Sequence, residues 1–479
     1  MSHDKDTFYI GGEWVAPKSN KTFTLINAST EEAIATVPEA CKADVDAAVA
    51  AARATFDNGS WSGLSPAERA AVMERFMGAL ATRGEAIAQA VSMQNGMPIA
   101  LSSQLESQFP LGILQYYASL ASEMGKPDVR PSQMGKETLV ERSPLGVVAA
   151  IVPWNFPVTL AMNKIAPAML AGCTIVIKPS PGTILDSYIV AEAAHEAGVP
   201  AGVLNWVAAD REVGAYLVSH PGVDKVAFTG STGAGRKIAA TCGELLRPVT
   251  LELGGKSAAI LLEDADIGTF LQGVPMASML NNGQACYNGT RVLAPKKRYD
   301  EVVDALAGFA KSLNVGDALD PETHIGPMAS GEHRDKVLSY IEIGKQEARL
   351  AAGGGAPSSQ NRGFFVEPTI FADVDNNARI AREEIFGPVL AVIPYDGEDE
   401  AVRIANDSEY GLGGSIWSAD SAHATAIAQK VASGTVGVNG YMPSLGAPFG
   451  GIKASGLGRE FGPDAVNAYQ NTKSIYVMG

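Results

Sequence analysis

Apolar runs alternate with helix-like stretches through the middle of the chain, and this alternation is its strongest structural signal. VVAAIV, which begins at Val147, is continuously apolar, the pattern of a strand buried on both faces of a parallel sheet. The helix-like stretch TLAMNKIAPAMLAG then stops at Gly172, and a second apolar run, CTIVIKP, follows it. Strand, helix and strand together occupy about 32 residues, which predicts a β–α–β unit.

The same alternation continues toward the C-terminus in two series. The first predicts a helix over about residues 186–197, the strands VLNWV and DKVAFTG, the helix GAGRKIAATCGELL and the strand PVTLEL. The second begins with SAAILL after Gly254 and Gly255, and predicts helices near residues 266–281, 299–313 and 331–350 and strands near residues 388–394 and 414–417. Repeated alternation of this kind predicts parallel, doubly wound α/β sheets.

Three segments lie outside this alternation. Near the N-terminus, an Ala-rich helix is predicted over about residues 44–56, and a second helix opens at Ser65, with Pro66 in its first turn and Glu68 completing a capping box. The polar segment 124–144, interrupted by Pro and Gly, predicts a projecting hairpin. The tail SIYV resembles a strand without an obvious partner in the chain, so we expect it to pair with a neighbouring subunit.

The composition narrows the class of protein. The 479 residues include 52 acidic and 37 basic side chains, and the net charge of −15 disfavours nucleic acid as a partner. The four cysteines form no CxxC pair and the six histidines no HExxH motif, so we expect neither a disulfide framework nor a metal site. The N-terminal segment lacks an apolar signal core, and no apolar stretch reaches the roughly 18 residues of a membrane span. These features predict a cytoplasmic protein.

Four features at the ends of predicted elements could carry chemistry. FTGSTGAG, residues 228–235, joins a strand to a helix and is either a phosphate-binding turn or an ordinary tight turn, because its spacing is not GxGxxG. Cys286 follows the polar, turn-forming run NNGQ and is either an exposed, reactive thiol or a small buried hydrophobe, whereas the other three cysteines lie in apolar runs or on a helix and are expected to be buried hydrophobes. Glu252 ends an apolar strand and is either a base with a raised pKa or a carboxylate satisfied by backbone amides. Asn155 lies between two prolines at the carboxyl end of a strand, where open α/β sheets bind ligands.

Seven short motifs occur together along the chain. They are PWNFP (153–157), VIKPS (176–180), FTGSTGAG (228–235), LELGGKS (251–257), GQAC (283–286), EEIFGPV (383–389) and PFGGIKASGLGRE (448–460). In this order and at these intervals they resemble the NAD(P)-dependent aldehyde dehydrogenase superfamily, and the resemblance covers nearly the whole chain. It implies an α/β fold of two doubly wound domains, an atypical Rossmann cofactor domain and a catalytic domain, with a small β oligomerisation arm.

The resemblance also implies roles for particular side chains. Cys286 would be the nucleophile that attacks the aldehyde substrate, and Asn155, with the backbone N–H of Cys286, would hold the oxyanion. Glu252 would activate the water that hydrolyses the thioester, with Lys164 and Glu460 as a proton relay. The implied cofactor contacts are Trp154, Lys178, Ser180, Gly230, Ser231, Glu384 and Phe386. The implied substrate pocket includes Phe156, Leu160, Tyr287 and Phe449.

The resemblance divides the chain into a cofactor-binding domain (residues 1–123 and 145–253), a catalytic domain (254–452) and an oligomerisation arm (124–144 and 465–479). The arm implies a homodimer or homotetramer. One position departs from the pattern of many NAD-preferring members, because Pro181 stands where they carry a glutamate that binds ribose hydroxyls. We therefore expect NAD as cofactor, with NADP possible.

Three other functions compete with this interpretation. A thiol hydrolase or acyltransferase would also use a cysteine and an oxyanion donor, but it would normally need a histidine base. A CoA-acylating aldehyde dehydrogenase would usually lack the glutamate that Glu252 matches. A non-catalytic binding protein on the same fold would not need an intact set of Cys286, Glu252 and Asn155.

Overall fold

Two large sheets, a three-stranded sheet and a two-stranded hairpin form the framework of the protein. The structure is a computed structural model that describes residues 4–126 and 128–478, and expectations that involve residues 1–3, 127 and 479 lie outside the described residues. Strands are numbered β1–β20 and α-helices α1–α16 in chain order. The hairpin consists of β3 (Thr22–Ile26) and β4 (Ala33–Pro38).

The first large sheet has eight strands in the order β19-β11-β10-β7-β8-β9-β1-β2. Its strands are β1 (Phe8–Ile10), β2 (Glu13–Val15), β7 (Val147–Ile151), β8 (Thr174–Lys178), β9 (Leu204–Trp206), β10 (Lys225–Thr229), β11 (Val249–Glu252) and β19 (Gly456–Leu457). The five strands from β7 to β11 are parallel, as their buried apolar runs predict, whereas β1, β2 and β19 are antiparallel additions at the two edges.

The second large sheet has seven strands in the order β14-β15-β16-β13-β12-β17-β18. They are β12 (Ala258–Leu261), β13 (Arg291–Pro295), β14 (Arg349–Ala352), β15 (Thr369–Ala372), β16 (Val389–Tyr395), β17 (Gly414–Trp417) and β18 (Gly437–Val438). All pairs are parallel except β14 with β15. The two doubly wound α/β series predicted from the apolar runs are therefore present.

The third sheet corrects the expectation for the C-terminal tail. It consists of β5 (Asp128–Pro131), β6 (Glu137–Pro144) and β20 (Gln470–Val477) in the order β20-β6-β5. Residues 124–144 do contain the predicted hairpin, but β20 pairs along its whole length with β6 of the same chain. The expectation that SIYV lacks a partner within the chain is wrong, because the sequence separation of more than 300 residues hides this pairing from local patterns.

Sixteen α-helices and four short helical turns lie in residues 4–126 and 128–478. The helices are α1 (Lys42–Asp57), α2 (Pro66–Ala81), α3 (Gly84–Asn95), α4 (Ile99–Ser102), α5 (Phe109–Ser119), α6 (Pro157–Ala171), α7 (Leu185–Glu196), α8 (Arg211–Ser219), α9 (Thr232–Glu244), α10 (Ile267–Ala277), α11 (Tyr299–Ser312), α12 (Gly331–Glu347), α13 (Arg379–Arg382), α14 (Glu398–Asn406), α15 (Ser421–Ala428) and α16 (Gly462–Asn467). A π-helical segment, Ser103–Gln108, joins α4 to α5, and 3₁₀ turns cover Leu120–Ser122, Lys296–Arg298 and Lys453–Ser455.

Local signals explain where several helices begin and end. The predicted capping box at α2 is present: the Ser65 Oγ accepts from the Glu68 N–H at 3.3 Å, and the Ser65 N–H donates to the Glu68 Oε2 at 2.8 Å. Helix α6 ends at Gly172, which has the left-handed φ of 95° expected of a C-cap glycine. Helix α10 is shorter than predicted and ends at Ala277, before the left-handed backbone that precedes Cys286.

No helix in the described ranges, 4–126 and 128–478, is both long and apolar enough to span a membrane.

Candidate active site

The candidate site lies where loops at the carboxyl ends of β7 and β11 meet the turn that joins α10 to β13. Asn155 and Trp154 belong to the loop between β7 and α6, and Glu252 is the last residue of β11. Cys286 belongs to the turn after α10. Because carboxyl ends of parallel strands share one edge of a sheet, distant parts of the chain converge here.

The turn before Cys286 has an unusual backbone. Asn281, Asn282 and Gly283 have consecutive positive φ values of 51°, 58° and 80°. Asparagine tolerates this left-handed region better than other side chains, and Gly283 is also confined sterically: a Cβ there would lie 2.1 Å from the carbonyl carbon of Gly387. The NNG run therefore explains how the chain reverses direction directly before the thiol.

Buried carboxamides connect this turn to the Asn155 loop. The Asn155 Nδ2 donates to the Gln284 carbonyl at 2.9 Å, and the Asn281 Nδ2 donates to the Asn155 carbonyl at 2.9 Å. The Asn95 Nδ2, at the end of α3, donates to the carbonyls of Trp154 and Asn155 at 3.0 and 3.1 Å. Since one Asn155 Nδ2–H is used to hold the loop, its second N–H is available to a ligand at Cys286.

Further carboxamide bonds fix the outer side of the turn. The Asn282 Nδ2 donates to the carbonyls of Gly96 and Pro327 at 2.8 and 3.0 Å, and its Oδ1 accepts from the Gly326 N–H at 2.8 Å. The Gln284 Oε1 accepts from the Ala329 N–H at 3.0 Å. Both side chains are buried, so each of these bonds satisfies a group that would otherwise be unpaired.

The Cys286 thiol is half-buried rather than openly exposed. Burial raises the pKa of the thiol, and the carboxylates of Glu384 and Glu252 raise it further. The resting side chain is therefore a neutral thiol. Two other cysteines, Cys173 and Cys242, are fully buried as the sequence predicts, but Cys41 is half-buried at the start of α1.

Glu252 is a buried carboxylate without hydrogen-bond partners. Its side chain is 2% exposed, and neither carboxylate oxygen has a partner among the described residues. Burial raises the pKa of Glu252 well above its ordinary value, and the nearby Glu460 raises it further. Gly450, with a φ of 154°, makes room for it, because a Cβ there would lie 2.5 Å from the Glu252 Oε1. The burial, the raised pKa and the lack of hydrogen-bond partners favour one of the two interpretations open from the sequence, namely a base with a raised pKa.

Behind Glu252 lies an ion pair. The Lys164 Nζ, on α6, donates to the Glu460 Oε1 and to the Thr229 Oγ1, both at 2.6 Å. Both charged side chains are almost fully buried. The Asn163 Nδ2 completes the cluster by donating to the Glu460 Oε2 at 3.4 Å. Buried charges are stable only when paired in this way, so Lys164 and Glu460 form one unit.

The predicted nicotinamide side of the site is an aromatic cluster. The ring centroids of Trp154 and Phe386 are 5.5 Å apart, and the His333 ring lies 5.2 Å from Trp154 and 5.9 Å from Phe386. The His333 Nε2 donates to the Phe386 carbonyl at 2.7 Å, which holds Phe386 at a positive φ of 66°. Burial lowers the pKa of His333 to about 4, so the ring is neutral at pH 7. Glu384, two residues before Phe386, accepts from the Gly255 N–H at 2.9 Å.

The remaining predicted cofactor residues line the carboxyl edge of the first sheet. The Ser231 Oγ caps α9 by accepting from the Ala234 N–H at 3.3 Å, and the Gly230 N–H donates to the Glu252 carbonyl at 3.0 Å. Lys178 is 6% exposed, and its Nζ donates to the Pro179 carbonyl at 3.2 Å. Ser180 is half-buried beyond it. A helix N-terminus beside a lysine with further N–H groups suits a phosphate and a ribose.

An aromatic wall lies next to Cys286. Tyr287 is 4.6 Å from Tyr441 and 6.2 Å from Phe449 between ring centroids. Phe461 continues the wall, 6.0 Å from Phe449 and 6.2 Å from Phe109. The predicted pocket residues Phe156 and Leu160 belong to the start of α6, and both pack in the same hydrophobic cluster as this wall.

A match to a known protein family covers residues 14–475. The chain belongs to the aldehyde dehydrogenase family. A geranial dehydrogenase of Castellaniella defragrans is 60% identical over 479 residues, which cover 100% of both proteins. The crystal structure of a Mycobacterium tuberculosis aldehyde dehydrogenase complexed with NAD+ matches with a TM-score of 0.97 and 45% identity, covering 100% of this chain and 99% of that chain. A Pseudomonas syringae aldehyde dehydrogenase, a cysteine-to-alanine mutant with NAD+ and octanal, matches with a TM-score of 0.94 and 40% identity, covering 98% and 96%.

Several residues of this aldehyde dehydrogenase site escape sequence reasoning. Asn95 and Asn281 donate to the Asn155 carbonyl, and Gln284 accepts from the Ala329 N–H; these partners lie far away in the chain, and no local pattern reveals them. His333 lies on an ordinary helix start, and only its ring contacts place it beside Trp154. The residues 4–126 and 128–478 contain no cluster of three or more His, Cys, Asp or Glu side chains that could hold a metal ion.

We expect Glu384→Gln to make the Cys286 thiol more reactive. Removing this carboxylate lowers the pKa of the thiol, so a larger thiolate fraction is present at pH 8, and each unit of pKa corresponds to about tenfold more thiolate. The measurement is the rate of iodoacetamide modification of the Cys286 peptide by mass spectrometry. Glu263→Gln, which removes an exposed carboxylate paired with Lys297, is the control and should leave the rate unchanged. Equal rates in Glu384→Gln and the parent would contradict this electrostatic account.

Proposed function

We propose that this member of the aldehyde dehydrogenase family oxidises an apolar aldehyde to its carboxylic acid and reduces NAD. The observation that carries the proposal is the pairing of a neutral, half-buried Cys286 thiol with a buried, unpartnered Glu252 carboxylate that influences its pKa. A nucleophile and a base that remain separate groups suit two successive half-reactions. Membership of the family and the NAD+ complexes of its relatives support the same reaction.

In the first half-reaction, the Cys286 thiol releases its proton to solvent as its sulfur forms a bond to the aldehyde carbon. The carbonyl oxygen becomes an oxyanion, for which we assign the free Nδ2–H of Asn155 and the backbone N–H of Cys286 as donors. Losing one such donor typically costs about 3–4 kcal/mol of transition-state stabilisation. The carboxamide bonds to Asn155 hold its donor in place before the aldehyde arrives.

The residues at the carboxyl edge of the first sheet fit a dinucleotide, although the glycine spacing in residues 228–235 is not GxGxxG. Ser231 at the start of α9 would hold a phosphate, Lys178 a ribose, and Glu384 with Phe386 the nicotinamide end. Bound there, NAD would supply the hydride acceptor for oxidation of the thiohemiacetal carbon. The aldehyde carbon is thereby oxidised to a thioester on Cys286.

In the second half-reaction, Glu252 removes a proton from water, which attacks the thioester carbon. The carbon–sulfur bond breaks, the carboxylic acid leaves, and the Cys286 thiolate takes up a proton from solvent to restore the thiol. Burial and Glu460 raise the pKa of Glu252, which makes it a stronger base than a surface carboxylate. The Lys164–Glu460 pair behind it would take up the proton.

The alternative functions have less support. A thiol hydrolase needs a histidine base, but no histidine within residues 4–126 and 128–478 forms a hydrogen bond to Cys286, and His333 donates to the Phe386 carbonyl. A CoA-acylating enzyme has no use for a water-activating Glu252. A binding protein would not need a buried carboxylate without partners, since such a group costs folding free energy.

The test of this function is Glu252→Gln, which should stall the second half-reaction. Acylation and hydride transfer need no water, so we expect one burst of NADH, about one per active site, without steady turnover. Mass spectrometry should find an acyl adduct on Cys286.

Two controls frame that experiment. Cys286→Ala should give neither burst nor adduct, whereas Cys41→Ala, at the other half-buried thiol, should keep turnover within about threefold of the parent. If Glu252→Gln shows neither burst nor adduct, Glu252 serves an earlier step. Normal NADH production by Cys286→Ala would disprove the nucleophile assignment.

For the substrate class we propose neutral, apolar aldehydes, aromatic, terpenoid or medium-chain. Residues 101–120 and 439–449, which contribute to the aromatic wall, contain no Lys or Arg. Arg459, one of the cations that lower the pKa of Glu252, uses its Nη1 to donate to the carbonyls of Gly451 and Gly458. A second carboxylate on the substrate would therefore find no Lys or Arg in these two segments to bind it. The geranial named for one relative and the octanal in the structure of another belong to the proposed class.

We expect kcat/KM for geranial, hexanal or benzaldehyde to exceed that for succinic semialdehyde by at least about 100-fold, or about 2.7 kcal/mol. The measurement is initial NADH formation over a range of each aldehyde. As a control for the aromatic wall, Tyr441→Phe retains the aromatic ring and should retain the preference for apolar aldehydes. A clear preference for the semialdehyde would overturn the assignment and mean that Arg459 or another cation enters the pocket.

For the cofactor we propose NAD as the main and NADP as a measurable second choice. Pro181 provides no carboxylate to bind the ribose hydroxyls or to repel the 2′-phosphate. Lys178 can bind either the ribose hydroxyls or the 2′-phosphate. Burial lowers its pKa to about 8, an effect that the Asp210 carboxylate opposes. Asp210 caps α8 by accepting from the Val213 N–H at 2.8 Å, so part of its charge is already engaged.

Pro181→Glu should sharpen the preference for NAD by about tenfold or more, because a close negative charge repels the extra phosphate by about 1.4 kcal/mol or more. The measurement is kcat/KM for NAD and NADP in the parent and the variant. Pro181→Gln, which adds a similar side chain without charge, is the matched control. A parent that already rejects NADP by more than about a thousandfold would show that discrimination lies elsewhere.

We further propose that the three-stranded sheet is an oligomerisation arm of a homodimer or homotetramer. Its order, β20-β6-β5, leaves the outer edges of β20 and β5 without partners among the described residues. Val129, Met134, Tyr476 and Met478, all exposed apolar side chains, belong to it or its ends. The division into a cofactor domain, a catalytic domain and this arm, with the bounds given above, is part of the same proposal.

Removal of residues 470–479 should break the assembly. Without β20 the arm loses eight paired residues and its exposed apolar edge. Size-exclusion chromatography with light scattering measures the mass, and removal of residues 478–479 alone is the control. An unchanged number of subunits would show that the tail packs only within its own subunit.

A further inference from the structure

Helix α6 begins without a local cap. Its N-cap residue, Phe156, has no side chain that can accept a hydrogen bond, and Pro157 in the first position has no N–H to satisfy. The next two N–H groups, of Val158 and Thr159, donate to the Glu106 Oε2 at 2.7 and 3.4 Å. A carboxylate about 50 residues earlier in the chain therefore serves as the cap of this helix.

Glu106 reaches the helix through an irregular backbone. It belongs to the π-helical segment Ser103–Gln108, in which the Phe109 N–H donates to the Gln104 carbonyl, five residues earlier. In that register the Leu105 carbonyl would need an N–H from residue 110, and Pro110 has none. The Leu105 carbonyl instead accepts from the Thr159 Oγ1, a second bond across the same contact.

Burial of the Glu106 carboxyl group costs folding free energy, which indicates that this residue has a role beyond packing. Glu106 is 0% exposed, no cation pairs with it, and its Oε1 has no partner among the described residues. Burial raises the pKa of Glu106 to about 8, although the Val158 N–H opposes the shift. A serine at position 156 would cap the helix without burying a carboxyl group.

The two contacts fix an element that carries several site residues. Asn155 precedes the helix by one residue, Leu160 is in its first turn, and Lys164 is in its second. Phe109, which follows the π-helical segment, belongs to the aromatic wall. Glu106 thus joins the substrate side of the site to the helix that begins beside the oxyanion donor.

We propose that Glu106 is a positioning residue for acylation of Cys286, and that its bonds to the Val158 and Thr159 N–H groups hold Asn155 in its oxyanion-binding position. The proposal rests on the role assigned above to Asn155. It makes Glu106 act on the formation of the acyl-enzyme rather than on aldehyde binding.

The test measures acylation without cofactor. With p-nitrophenyl acetate and no NAD, attack by Cys286 on the ester carbonyl forms an acyl-enzyme and releases p-nitrophenolate, so an oxyanion is formed but no hydride is transferred. We expect Glu106→Met to slow this release by about tenfold or more, while the KM for the ester stays within about threefold. Glu106→Gln keeps an acceptor oxygen and should restore most of the rate.

A double-mutant cycle separates positioning from a general structural effect. If Glu106 acts through Asn155, Glu106→Met should slow acylation by less than about twofold once Asn155→Ala is present. The matched control is Asp420→Ala, which removes a cap that accepts two N–H groups, of Ala422 and His423, at α15. It should lower Tm but leave acylation unchanged. Should Glu106→Met fold poorly, Thr159→Val removes the second bond and should slow acylation several-fold.

Two results would overturn the inference: a Glu106→Met enzyme acylated as fast as the parent, or an equal loss with and without Asn155. Failure of the proposed dehydrogenase function looks different. In that case the parent would form no NADH from any aldehyde, while the ester would still acylate Cys286 and the Glu106 variants would still differ from the parent.

Discussion

The positions of the Asn155 loop and of the turn before Cys286 depend on one buried network of carboxamide side chains. Asn95, Asn155, Asn281, Asn282 and Gln284 bridge backbone groups of four separate segments, and all five are buried. A carboxamide suits this task because it carries donors and acceptors without charge, so it can satisfy several buried carbonyls at once. Replacing one by an aspartate or a leucine would leave carbonyls unpaired in the interior. These bonds link the turn that carries Cys286 directly to the loop that carries Asn155.

Carboxylates and cations both act around this network. Glu384 and Glu252 lie close enough to Cys286 to raise the pKa of its thiol, while Lys164, Arg459, Lys256 and Lys336 oppose the raised pKa values of these two carboxylates. Burial is the largest cause of all three shifts, and it favours the neutral thiol of Cys286. The site therefore holds a thiol and two carboxyl groups whose pKa values differ from those of surface groups.

The sequence predicts the elements of this fold better than their long-range pairing. Apolar runs correctly predict β7, β8 and β10, because strands buried on both faces carry a local signature. The pairing of β20 with β6 was missed, since both strands are half exposed and lie more than 300 residues apart. In the site, the motifs single out Cys286, Glu252 and Asn155. Side chains that act through backbone groups, such as Asn95 and Glu106, have no local signature, and only the three-dimensional contacts reveal them.

The short strand β19 has a consequence for how the protein is made. It pairs with β11 through Leu251 with Leu457 and Glu252 with Gly456, so residues near the C-terminus complete a sheet that begins at residue 8. During synthesis the edge of β11 stays open until almost the whole chain has left the ribosome, which exposes unpaired backbone groups for that time. Glu252 likewise gains Glu460 as a neighbour only then. A nascent or truncated chain can therefore form much of the first sheet and still lack part of the surroundings that raise the pKa of Glu252.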